Sequence, residues 1–211
     1  MLIVAILAVL GIVIGLRFLR NVQPDDGEIM EDLKELKQAV AQFKGGLVPW
    51  TNEISANEAD QVMEKGNARS GTGVFLSTDG QPIFAYAFRK YIGPGQNSLM
   101  YILTSDHELV FRTTTKGTEV TIDGQKQGLI RSNGTYYNLR NDEVAKVQRF
   151  GATGMNKIFI GNVEVAKLAM PDAIAQIRAL DITASQLDAK QQELVRTMAV
   201  YELVDNLSQQ A

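Results

Sequence analysis

The sequence predicts a single N-terminal transmembrane helix and a mainly-β domain of about ten antiparallel strands, a barrel or a sandwich, with flanking N- and C-terminal helices. Three observations carry this. The chain opens on an apolar run, turn residues recur about every ten residues from Thr72 onward, and a helical period returns after Pro171.

Composition bounds the rest. The 211 residues are 45% hydrophobic and 21% charged, with a net charge of −3, ordinary for one globular domain plus an extra element. The chain has no cysteine, which removes disulfides, thiolate nucleophiles and zinc-thiolate sites. Its one histidine, His107 in "TSDHEL", reads as a solvated turn residue rather than a base or a metal ligand.

Met1 to Leu19 is apolar apart from Arg17, and at about 1.5 Å per residue it covers roughly the 30 Å of a hydrocarbon core. No basic residue precedes Gly11 and no small-residue cleavage site follows the run, so it reads as an anchor rather than a signal peptide. Arg17 and Arg20 on the C-terminal flank can snorkel to a membrane interface and place the body on the cytoplasmic side, as in a bacterial inner membrane. Gly11 and Gly15 form a G-x-x-x-G that either packs against a second helix or simply sits in lipid.

Residues 21–69 read as a linker with amphipathic helices. After Pro24, Asp25 or Asp26 offers an N-cap and Glu28 a first-turn acid, opening a helix to about Lys44. Its apolar positions Ile29, Leu33, Leu36, Val40 and Phe43 are spaced four, three, four and three, a heptad seam that either packs on the domain or associates with another chain. Gly45-Gly46 ends it, Trp50 follows in a loop, and Ser55-Ala56-Asn57-Glu58 is a capping box for a short helix stopping at Gly66.

Residues 70–170 hold the strands. Segments such as "PIFAYAF", "SLMYILT", "ELVFRT" and "EVAKVQR" alternate with turns at Asp79-Gly80, Ser105-Asp106, Lys116-Gly117, Asp123-Gly124, Asn133-Gly134, Asn141-Asp142 and Gly161-Asn162. Residues 171–211 return to helix, with Ile174, Ile177 and Leu180 on one face. A capping box at Thr183-Ala184-Ser185-Gln186 then starts a helix to about Ser208 that is apolar enough to be buried, though Arg196, Glu202 and Asp205 interrupt it.

No catalytic signature stands out, and neither cofactor nor metal is expected. "YIGPGQNS" and "RSGTG" are glycine-rich, but one lies between strands and the other leads into a strand, where no helix dipole helps a phosphate. Acidic residues sit in turns. Basic residues from Arg89 to Lys157 are scattered; gathered on one side they would hold anionic lipid, and otherwise they line a solvated face.

The turn-then-strand cadence of "LSTDGQPIFAY", "VTIDGQKQGLIRS", "LRNDEVAKVQR" and "FIGNVEVAKLAM", with an apolar closing helix, resembles the tubby C-terminal, LURP-one and phospholipid-scramblase superfamily over residues 70–207. The resemblance implies a closed antiparallel barrel around a C-terminal helix and a non-enzymatic, membrane-associated role. It carries no binding residue over to this chain.

The expected function is a non-enzymatic, membrane-anchored scaffold or accessory subunit. Its partners would be membrane lipids and other membrane-protein subunits or a second copy, and no nucleic acid, given the acidic balance. A lipid-binding or lipid-handling module is the alternative; an enzyme whose residues converge only in the fold is the third.

Overall fold

The computed structural model describes residues 24–50, 61–64, 69–77, 80–92, 96–150, 155–169 and 180–210, with only the backbone of 61–64 and 210. Helix α1 spans Asp26–Val40 and continues as a 3-10 turn, Ala41–Phe43. Twelve strands follow: β1 Gln61–Glu64, β2 Ser70–Leu76, β3 Pro82–Lys90, β4 Ser98–Thr104, β5 Glu108–Thr114, β6 Gly117–Ile122, β7 Gln125–Ile130, β8 Thr135–Asn138, β9 Glu143–Gln148, β10 Asn156–Ile160, β11 Val163–Leu168 and β12 Leu180–Ile182. Helix α2, Ala189–Gln210, closes the described chain.

The strands form one sheet in sequence order, every neighbour antiparallel. The barrel-or-sandwich expectation is corrected here: there is a single sheet, and it stays open, with β1 and β12 as its two edges. It is nonetheless barrel-like. Side chains from β2 through β12, among them Phe75, Phe84, Met100, Phe111, Val120, Ile130, Tyr136, Val147, Ile158, Val165 and Leu180, share one core with Val195, Met198, Tyr201, Val204 and Leu207 of α2. Residues 197–204 of α2 are buried without a break, more than two full turns, so every face of the helix is covered, and the curled sheet shares one core with it. Register shifts in the β2–β3, β6–β7, β8–β9 and β10–β11 pairings sharpen that curl.

Helix α1 covers part of the outside. Asp25 caps it, accepting from the Glu28 N–H at 2.8 Å while the Glu28 carboxylate takes the Asp25 N–H. Its seam meets a second apolar cluster on the outer face of β2–β4, formed by Val74, Ala85, Ala87, Tyr91, Leu99, Tyr101 and Leu103. This double coverage explains why β3 and β4 are buried in continuous runs while β5, half-buried on its outer face, alternates.

Three further expectations change. Gln61–Glu64, placed in a helix by the Ser55–Glu58 box, pairs with β2 as an edge strand, and Leu180, placed on a helix face, begins β12 and pairs with Leu168. The remainder of both segments lies outside the described residues. The last helix starts later than the Thr183 box implies, because the working box is Asp188 with Gln191: the Gln191 N–H donates to Asp188 at 2.8 Å and the Asp188 N–H to the Gln191 side chain at 3.1 Å.

The transmembrane reading does not stand. Among the described residues no helix is long and apolar enough to cross a membrane. The longest, α2, has 22 residues but carries Lys190, Glu193, Arg196, Glu202 and Asp205. Residues 1–20, with Gly11, Gly15, Arg17 and Arg20, lie outside the described residues, so the single-pass, inner-membrane placement has no structural support.

Candidate functional site

A meander in strict order sends alternate connections to opposite ends. The β3–β4, β5–β6, β7–β8 and β9–β10 connections share one end with the C-terminus of α2; β4–β5, β6–β7, β8–β9 and β10–β11 share the other with its N-terminus. The basic residues that are scattered in sequence gather at the first end. Lys90, Arg112, Lys116, Arg131, Arg149 and Lys157 all lie in or beside its turns, and Lys146 stands on the outer face opposite Thr135, the first residue of β8.

Part of this charge is matched. On the β3–β4 side the acidic first half of α1 covers it: Arg89 pairs with Asp32 and, at 2.6 Å, with Glu35, and the Tyr91 hydroxyl donates to Asp32 at 2.8 Å. On the β10–β11 side Glu164 bridges the cross-strand lysines Lys157 and Lys167 at 2.7 and 3.9 Å. Between these sectors Lys116, Arg131 and Lys146 are exposed and have no carboxylate partner among the described residues. Arg131 instead lies over the Tyr137 ring, its guanidinium carbon 4.5 Å from the centroid.

Inside the rim the polar residues of α2 are resolved by pairing. Glu202, whose side chain is 4% exposed, accepts two hydrogen bonds from Arg149, at 2.8 and 2.6 Å. That pairing holds the Arg149 guanidinium above its ordinary range. Asp205, one turn on, has no such fork: burial, then the neighbouring Glu202 charge, pushes its carboxyl up to about 6, while Arg149, the Gln209 amide and Lys90 pull the other way. Lys90 donates to the Ser208 carbonyl near the helix terminus, where the dipole favours a cation.

The opposite end is acidic. Asp106, Glu108, Asp123, Asp142 and Glu143 are in or beside its turns, with Asp188 and Glu193 at the start of α2. Asp123 takes the Glu108 N–H at 2.8 Å and the His107 ring at 2.7 Å, and these bonds hold its carboxyl below the usual range. Lys37 of α1 reaches Glu108 at 2.7 Å and lowers its pKa in the same way. A cleft of about 530 Å³ lies between the end of α1 and the β4–β5 and β6–β7 turns. Lys37 and Lys44 pair there with Glu108, and His107 with Asp123.

The predicted seam is used within the chain. Leu36 and Val40 are buried, and Ile29, Leu33 and Phe43 are partly buried against the same cluster, so the heptad spacing is accounted for by the sheet. The glycines of "RSGTG" serve packing: a Cβ on Gly71 would stand 2.7 Å from the Phe88 ring, and one on Gly73 2.5 Å from the Tyr86 hydroxyl. Among the described residues no cluster of metal-ligating side chains is present, and no buried side-chain polar atom lacks a hydrogen-bond partner.

Sequence reasoning left the gathering of the cations open, although a signal was there. The turns alternate in sign, acidic at "SD", "DG" and "NDE", basic at "RKY", "TKG", "IRSNG" and "QRF". In an ordered meander that alternation sorts charge to opposite ends. Comparison with protein-family models, with curated proteins and with solved structures finds no match to this chain.

Proposed function

We propose that this chain is a non-enzymatic lipid-binding module that meets an anionic lipid surface with its basic end. The observation that carries the reading is the sector of Lys116 and Arg131, on neighbouring connections, and Lys146, on the outer face of β9, all exposed with no carboxylate to answer them among the described residues. The interior supports it from the other side: α2 fills the space the sheet encloses, so a ligand is met on the outer surface.

Each cation near an anionic surface contributes about 1 kcal/mol. Replacing Lys116, Arg131 and Lys146 together by Gln in the full chain should weaken association with phosphatidylserine-containing vesicles by about 100-fold at low salt. The parent and the variant share residues 1–20, so the comparison isolates the basic end. Equal association of the two would end the proposal.

The scaffold or accessory-subunit reading has one observation in its favour. Leu139 and Val163, 65% and 64% exposed, stand on adjacent connections of the acidic end, where a protein partner could cover them.

A further inference from the structure

Four large apolar side chains stand exposed among the described residues, and one of them is at the basic end. Met30 lies in the acidic first half of α1, and Leu139 and Val163 are at the acidic end; Phe150, 47% exposed, follows β9 at the basic end. Arg149 precedes it, and the Lys157 ammonium stands 5.9 Å from its ring centroid. The ring is also held in place. Its backbone N–H donates to the side chain of Asn156 at 3.1 Å, Asn156 is 3% exposed, and Arg149 is fixed by its fork on Glu202.

An aromatic ring on a pinned backbone, with the Lys157 ammonium near it and the exposed Lys116, Arg131 and Lys146 at the same end, presents both halves of an interfacial contact. The ring belongs below the headgroups and the cations among the phosphates. We infer that Phe150 is the residue through which the basic end enters an anionic bilayer, the unmatched cations of that end setting its depth at the headgroup level. This rests on the lipid-binding reading above. It adds that the partner is an organised bilayer, since a soluble polyanion offers Phe150 nothing to enter.

The absence of cysteine makes the test clean. Phe150→Cys in the full chain, carrying a nitroxide label, is compared with Leu139→Cys at the acidic end on vesicles of phosphatidylcholine with and without phosphatidylserine. The label at 150 should gain bilayer depth with phosphatidylserine alone, and the label at 139 should stay aqueous on both. Phe150→Ala should weaken association with the anionic vesicles by about tenfold and leave binding of inositol hexakisphosphate unchanged.

A label at 150 that stays aqueous on anionic vesicles, while the three-cation variant still loses association, overturns this inference and leaves the lipid reading standing. Equal loss of vesicle and inositol hexakisphosphate binding in Phe150→Ala overturns it as well, because Phe150 then only shapes the cation site. If the three-cation variant and the parent associate alike, both readings fall together.

Discussion

The two ends of the curled sheet are built from the same hairpins, yet they handle charge in opposite ways. At the acidic end the carboxylates of Glu108 and Asp123 are partly exposed and answered by Lys37, a backbone N–H and His107, and their pKa values fall. At the basic end Glu202 is buried under Arg149, and Asp205 is left with a raised pKa among cations that outnumber it. The dipole of α2 gives this polarity a structural cause. Its positive N-terminus lies among the acidic turns and its negative C-terminus among the basic ones, each stabilised by opposite charge. The dipole acts only over the last turn of a helix, however, and does not reach Lys116 or Lys146 on the outer rim. That remainder of positive charge is what the lipid-binding proposal uses.

The comparison can be broken first through stability. Arg149→Ala would leave Glu202 buried without a partner, and should cost about 3 kcal/mol, the low end for such a loss because Arg149 is 40% exposed. Urea unfolding monitored by circular dichroism measures it. A loss below about 1 kcal/mol would mean that the pair behaves like a surface contact.

The next effect concerns pH. Folding raises the Asp205 carboxyl from 3.8 to about 6, so the folded chain binds this proton more tightly than the unfolded one. The resulting stability is present in full below about pH 4 and is lost as pH rises through about 6. Asp205→Asn should therefore gain about 3 kcal/mol at pH 7.5, a gain that disappears toward pH 4. A denaturation series across this range checks the sign. Glu108 and Asp123 should act in the opposite direction, their contribution being lost as pH falls below the ordinary 4.5 and 3.8 of their unfolded forms.

The smallest effect belongs to the acidic end. Lys37→Ala removes an ion pair whose side chains are 45% and 32% exposed, and should cost about 0.5 kcal/mol, nearly all of it screened by salt. A cost near that of Arg149→Ala would erase the distinction between the ends.

Much of the fold was legible because turn chemistry is local. Asp123-Gly124, both at positive φ, form the two-residue turn their sequence announces, and β2 through β11 fall where the β-branched and aromatic segments between turn signals place them. The edge strands β1 and β12 were missed for a physical reason: Gln61–Glu64 and Leu180–Ile182 are short, follow helix-like signals, and become strands only through a neighbour already in the sheet. Continuous burial of β3 and β4 was also present in "PIFAYAF" and "SLMYILT", although it took the structure to show that α1 supplies the second cover. Pairing across the interior was not legible at all. Glu202 looks like an interruption in a helix until Arg149, 53 residues earlier, arrives from the end of β9.

The central claim is that one end of this molecule works and the other is structural. Hydrogen exchange of the full chain, free and with phosphatidylserine-containing vesicles, tests it most directly. Protection gathered at the connections bearing Lys116, Arg131 and Phe150, with the Asp106, Asp123 and Asp142 turns unchanged, is the predicted result. Protection confined to the acidic turns, or spread equally over both ends, would contradict it.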